Sequence, residues 1–168
     1  MSSTRLFYLA LFLTGTMLLG YGYYLEFVDG LEPCPLCIFQ RIAYFAVIVI
    51  AFIGLVHGPK EIGLKLYDSL IALSAITGGA IAARQVWLQH LPPDKVPECG
   101  PGLDFMLEVF PLTEALKMVL SGSGECAEVV WTFLTLSIAE WSLLCFSVFT
   151  IAVLIHPWKH ISISRNFR

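Results

Sequence analysis

The chain has 168 residues, enough for one domain, and 57% of them are apolar against 14% charged. With a mean hydropathy of +0.77, that balance excludes a disordered chain and argues against a soluble enzyme, whose apolar share is about 45–50%. The net charge of −3 comes without a basic block, which argues against nucleic acid as a partner and leaves a small polytopic membrane protein.

A helix crosses a bilayer in about 20 mainly apolar residues, and four stretches qualify. The first covers about 6–26; it is uncharged up to Glu26, and Asp29 follows. Arg5 ahead of it would also suit a signal peptide. The apolar core is long for one, however, and Gly20-Tyr-Gly-Tyr-Tyr is a poor cleavage site, so an uncleaved span is expected. The second covers about 38–56 and has no charge after Arg41. The third, about 66–88, is apolar apart from Asp68 and Arg84. It carries Gly78, Gly79, Ala82 and Ala83 at spacings that let helices approach closely. The fourth covers about 139–156. Gly58-Pro59, Pro92-Pro93 and Pro157 punctuate the runs. The runs are continuous and do not alternate, so they read as helices rather than barrel strands. The expected fold is an all-α, four-transmembrane-helix bundle, a single domain over 1–168.

Basic residues set the orientation. Arg5, Lys60, Lys65, Lys159, Arg165 and Arg168 lie at the two termini and between the second and third spans. Both termini are therefore expected to be cytoplasmic. Outward loops would cover about 27–37 and 89–138, and these hold most of the acids, from Asp29 and Glu32 to Glu125 and Glu128.

Four of the five cysteines fall in those outward loops. Cys34 and Cys37 form a Cys-Pro-Leu-Cys pair where the second span begins; Cys99 and Cys126 bracket 26 residues of the long loop. Even numbers of cysteines on the non-cytoplasmic side suggest disulfides. They would suit two structural disulfides, but also redox chemistry. A four-cysteine zinc site usually takes two short-spaced pairs, and only one is present. Local physics favours the redox reading. Pro35 suits a first helical turn, which puts Cys34 at the helix N-terminus and Cys37 one turn in. The partial positive charge there favours a thiolate. Arg41, four residues after Cys37 and on the same helix face, adds a permanent cation. A plain membrane-anchor role for Arg41 competes with this, although an arginine inside a span is costly enough to point to function. Arg84, near the outer end of the third span, suits snorkelling equally well. Cys145, alone in the fourth span, reads as an inert buried thiol. The long loop surrounds Cys99 with prolines and glycines. Its segment from Leu103 to Leu120 mixes apolar and charged residues, as an interfacial helix or a packed extramembrane helix would.

Cys34-Pro-Leu-Cys37-Ile-Phe-Gln-Arg41, Cys99 in a Pro/Gly-rich loop, Gly124-Glu-Cys126-Ala-Glu128, Trp131-Thr-Phe-Leu and Glu140-Trp-Ser-Leu together resemble the DsbB family of bacterial inner-membrane thiol oxidases. The match spans nearly the whole chain. It implies an enzyme, a protein-disulfide (thiol:quinone) oxidoreductase of the inner membrane. Such an enzyme re-oxidises a periplasmic DsbA-like, thioredoxin-fold partner and passes two electrons to the membrane quinone pool, ubiquinone or menaquinone. Carried over by position, Cys99 would be attacked by the reduced partner, and Cys126 would resolve the mixed disulfide or turn to the inner pair. The Cys34–Cys37 disulfide would re-oxidise the loop pair. Arg41 would hold the quinone oxygen, with His90 a further candidate for the pocket. The competing readings are a disulfide-stapled membrane scaffold and a metal-binding membrane protein without redox turnover.

Overall fold

The computed structural model describes residues 3–97 and 108–166. Four long helices dominate it: α1 (Ser3–Phe27), α2 (Pro35–His57), α3 (Glu61–Gln89) and α6 (Ile138–Asn166). A 3-10 turn at Pro93–Lys95 follows α3. Then come α4 (Leu112–Ser121), the short α5 (Gly124–Ala127) and a hairpin of β1 (Thr132–Phe133) and β2 (Leu136–Ser137). Each long helix carries a stretch apolar and long enough to cross a membrane, the last reaching His156. The four runs read from hydropathy fall within these helices, and the chain is a multi-pass membrane protein.

Local chemistry explains where the helices start and stop. Cys34 is the extended residue ahead of α2, and Pro35 occupies the first turn, where a backbone donor has no helical partner. Gly58 closes α2 in a left-handed conformation, its N–H donating to the Gly54 carbonyl at 2.9 Å. Pro92 and Pro93 follow soon after α3. At the start of α6, the Ser137 N–H donates to the Glu140 carboxylate at 2.7 Å. The Glu140 N–H returns a bond to Ser137 Oγ at 3.2 Å. This Ser-x-x-Glu capping box satisfies two donors of the first turn.

Helices α1, α2, α3 and α6 pack in that order, each against the next. Between apolar helices in lipid, burial of oily surface gives no net drive, so close packing and polar contacts hold the bundle. Ala75 and Ala82 of α3 are fully buried. A Cβ on Gly78 would lie 2.4 Å from the ring of Phe146, so only glycine lets α6 seat that ring. Phe146 in turn stacks on Tyr44 of α2, centroids 4.1 Å apart. Outward-facing side chains such as Met17, Phe45, Ile76 and Ile151 are exposed and apolar, as a lipid-facing surface requires.

A polar clamp lies at the end of the bundle opposite the thiols. Asp68 of α3 is 4% exposed. It accepts hydrogen bonds from the Tyr8 hydroxyl and from His156 Nδ1–H, both at 2.9 Å. Phe7 stacks on the His156 ring at 3.9 Å. The clamp therefore ties α1, α3 and α6 through one carboxylate that would be costly to bury alone. Tyr8→Phe deletes one bond to that carboxylate and should lower stability by about 1.5–3 kcal/mol. Thermal unfolding in detergent checks it: an unchanged midpoint would mean that the clamp does not hold α1.

Candidate functional site

The site is assembled on the first turn of α2. Cys34 Sγ and Cys37 Sγ lie 3.0 Å apart, one turn separating the two residues. Across from them stands Gln85 of α3, 4% exposed. Its side-chain amide donates to Cys34 Sγ at 3.4 Å and to Cys37 Sγ at 3.3 Å. Gln40, one turn further along α2, donates to the Gln85 carbonyl oxygen at 2.7 Å. That bond fixes the amide with its NH2 group facing the sulfurs, and Cys37 Sγ also lies 3.6 Å from the oxygen. Neither glutamine was singled out in the sequence. The available signal was two polar amides, Gln85 and Gln89, four residues apart in an apolar span.

Cys126 of α5 completes a cluster of three thiols. It is fully buried with Cys34, Leu36, Leu88 and Val119. Its thiol is pushed down to about 6, first by a hydrogen bond from Cys34, against the opposing effect of burial, and further by the backbone N–H groups of Ser123 and Leu36. The Leu36 donor belongs to the open N-terminus of α2, whose positive end serves the loop cysteine as well as the inner pair. Cys34 is pushed the other way, because it donates its S–H to Cys126 and Cys37 and is buried. Cys99 lies outside the described residues.

Two devices hold α5 in this position. The Arg84 guanidinium donates to the carbonyls of Leu120 at 3.4 Å and Ser121 at 2.9 Å, capping α4, and lies over the Trp87 ring. Arg84 thus docks the loop helix onto α3, a role beyond snorkelling. Gly122 then turns the chain with φ +82°, and a Cβ there would fall 2.3 Å from Leu88 Cδ1. In α4, Val119 is buried against α2 and α3, with Met118 and Phe110 beside it.

Beside the thiols opens a cavity of about 740 Å³. Leu18 and Leu19 of α1 form one wall and Ile138 and Ser142 of α6 another. Cys34, Cys37, Gln40, Arg41, Gln85 and Gln89 border it as well. Arg41 and Cys37 share this space although their side chains are held from different sides. Cys37 faces Gln85, whereas Arg41 pairs with Glu26 and donates to the Gly22 carbonyl of α1 at 3.2 Å. His90 is not part of the lining. It follows the last residue of α3, its Nδ1–H donates to the Val86 carbonyl at 2.8 Å, and its other nitrogen lies 4.0 Å from Glu140. Gln85 and Gln89 are the α3 residues that border the cavity. Cys145 packs against the central core, away from the other thiols.

A family model described as Disulfide bond formation protein DsbB matches residues 4–156. A protein of Azoarcus sp. called Disulfide bond formation protein B is 49% identical over 92% of this chain and 90% of its own length. One of the same description from Hahella chejuensis is 48% identical over 93% and 94%. The Pseudomonas aeruginosa protein called Disulfide bond formation protein B 1 is 46% identical over 87% and 90%.

The placement of Cys126 makes a prediction. In a Cys37→Ser/Cys99→Ser background, Cys34 and Cys126 are left to form a disulfide with each other under mild oxidant. Adding Gly122→Ala should slow that bond at least about tenfold, since the overlap with Leu88 must push α5 away. Arg84→Ala should slow it by about 3- to 10-fold through the lost cap. Equal rates in all three proteins, followed by non-reducing electrophoresis, would contradict this docking.

Proposed function

The chain belongs to the DsbB family of membrane thiol:quinone oxidoreductases that act in disulfide bond formation, and from that premise we propose an electron path through its own residues. The acceptor is a quinone of the bilayer. The donor is a reduced, periplasmic thioredoxin-fold protein of the DsbA kind. Placement in the bacterial inner membrane, with both termini cytoplasmic and the thiols outward, fits the family and the charge asymmetry of the loops. One observation carries the reading: a cluster of three thiols opens, through Cys37, onto a cavity that also presents Arg41.

The path begins at a Cys99–Cys126 disulfide. A thiolate of the partner attacks Cys99, and the partner's second thiol completes the exchange. The partner leaves oxidised, with Cys99 and Cys126 reduced. Cys126 lies against Cys34, and with Cys34 held in the disulfide the backbone N–H groups of Ser123 and Leu36 are the donors left to favour its thiolate. Its attack on Cys34 Sγ breaks the Cys34–Cys37 bond and releases Cys37 as a thiolate. Gln85 receives that charge through its amide N–H, which Gln40 keeps aimed at the sulfur. Cys99 then attacks Cys126, re-forming the loop disulfide and freeing Cys34.

The inner pair is left holding two electrons and two protons. A quinone in the cavity supplies the matching sink, becoming quinol as the Cys34–Cys37 bond re-forms. The lining suits such a ligand: Leu18, Leu19 and Ile38 offer an apolar bed, and Arg41 offers N–H donors to a ring oxygen that gains negative charge. The lipid side delivers the quinone and the aqueous side delivers the protein partner, so the two pairs relay between solvents without a flavin.

Cys37→Ser should stay folded, with an unfolding midpoint close to the parent's, and lose quinone reduction at least about 1,000-fold. The assay follows quinone absorbance with a reduced DsbA-like partner. Persisting turnover, or a protein that fails to fold for want of a staple, would favour the scaffold reading instead.

The depressed thiol of Cys126 gives a pH signature. In the reduced protein it is thiolate above about pH 7 and takes up a proton as the pH falls through about 6. Its alkylation rate should therefore be flat above 7 and drop about tenfold per unit below 6. The stabilisation that this thiolate lends the fold runs with the same sign, present at high pH and lost on acidification. Cys34→Ala removes the main donor and should move the break up toward the ordinary thiol range. A parent profile that breaks near about 8.5 would refute the assignment.

A further inference from the structure

The guanidinium of Arg41 is cradled by a single stretch of α1. Glu26 takes one of its nitrogens as an ion pair, and the Gly22 carbonyl accepts from another at 3.2 Å. The Tyr23 ring lies under its Cζ at 4.7 Å. Gly22 lies directly against the guanidinium: a Cβ there would meet Arg41 Nε at 3.9 Å, an ordinary contact. The cradle also lies at the C-terminal end of α1, where the helix dipole favours a cation. Gly22 and Leu25 border the cavity together with Arg41, whereas Glu26 does not. The carboxylate thus approaches the guanidinium from outside the cavity. The bonds to Glu26 and Gly22 use two of the five N–H donors.

We propose that Glu26 is a positioning residue for the acceptor site: it braces Arg41 from behind, so that the guanidinium is presented to the cavity instead of snorkelling into the aqueous phase. The physical case is entropic and electrostatic. An arginine at the end of a span has a long, flexible stem and a strong pull toward water. Two hydrogen-bonded contacts at its edge and one ring against its face remove that freedom before any ligand arrives. The ligand then meets a donor that is already ordered, and the cost of ordering it does not come out of the binding energy. The Glu26 and Arg41 side chains are only 26% and 19% exposed, so solvent screens the pair less than it would an open surface bridge. A tie between α1 and α2 alone would also use these contacts, but such a tie would not act selectively on the quinone.

This inference rests on the reading of Arg41 as the group that holds the quinone oxygen, and the experiment separates the two. Steady-state kinetics are measured on the detergent-solubilised full chain, with a short-chain ubiquinone analogue and a reduced DsbA-like partner. The proteins are the parent, Glu26→Gln, Glu26→Asp, Tyr23→Leu and Arg41→Ala. Glu26→Gln should raise the KM for quinone about 3- to 10-fold, with kcat within about twofold and the KM for the partner unchanged. Glu26→Asp keeps the charge and should recover most of the quinone KM. Tyr23→Leu, which keeps the ion pair and removes the aromatic wall, should raise it about twofold. It carries the test if Glu26→Gln does not accumulate. Should Arg41→Ala raise the quinone KM while Glu26→Gln and Tyr23→Leu leave it unchanged, the bracing role is overturned and the Arg41 reading stands. An Arg41→Ala protein with an unaltered quinone KM overturns both. Parallel rises in the KM for quinone and partner would mark a merely structural tie and overturn the proposal as well.

Discussion

Pro35 removes a backbone donor from the first turn of α2 at a place where it had no helical partner, and the N–H of its neighbour Leu36 is turned to Cys126. That arrangement ties the rest of the molecule to one spot. Because the helix opens there, Cys34 precedes it in extended conformation and Cys37 follows one turn later, with their sulfurs together. Because the helix end is electropositive, the thiolate that gathers against it is the one delivered by the loop. Described features of α3 and of the segment before α6 carry Cys126 to that end. Arg84 caps α4, Gly122 makes the turn over Leu88, and α5 contributes a single cysteine.

Lipid explains why the supports are polar and small rather than oily. Apolar burial drives α4 and α5 onto the bundle where they meet water, but it does little between the spans themselves. The spans are held instead by Gly78 under Phe146, by the Tyr8–Asp68–His156 clamp and by the ring stack of Tyr44 on Phe146. The clamp sits at one end of the bundle, and the cavity lies toward the other. There residues of α1 and α6 both line the space, and Phe7 and Tyr8 meet His156 at the clamped end. A bundle pinned in this way keeps a space open beside the thiols without a loss of helix pairing elsewhere.

Much of this was legible in the sequence. The four spans announce themselves by uncharged length, α2 announces its start by Pro35, and the thiol pair is placed at that start by helix geometry alone. Other features depend on distances that no spacing encodes. The partner of Arg41 lies 15 residues earlier on α1, and one-dimensional patterning pointed to Cys37, four residues away on the same helix. His90 came from the resemblance to the family, whose third span contributes a histidine from its outer part. On α3 the residues that border the cavity are the neutral Gln85 and Gln89, whose side chains carry no signature beyond being polar in an apolar run. The Ser137–Glu140 box was readable as Ser-x-x-Glu, and its bearing is geometric: Ser137 Oγ also donates to Gln89 of α3 at 2.8 Å, tying the start of α6 to the end of α3. Cys99 falls outside the described residues, so its part in the path rests on the family pattern.

Among the described residues, no buried side-chain nitrogen or oxygen lacks a hydrogen-bond partner. Around the site two polar groups are oriented before the reaction starts: Gln85 by Gln40, and Arg41 by Glu26 and Gly22. In an apolar setting an oriented dipole acts more strongly on a nearby charge than it would in water. Charge that moves from Cys126 to Cys37 and on toward the cavity therefore passes between groups that need little rearrangement to receive it. That pre-orientation has a directional consequence. The loop thiolate is stabilised by the helix end and by Cys34, whereas the inner sulfur meets an amide and, across the cavity, a guanidinium. The two ends still share Cys34 and the N-terminus of α2, so a change at either of these acts on both, whereas Gln85 acts on the inner pair alone.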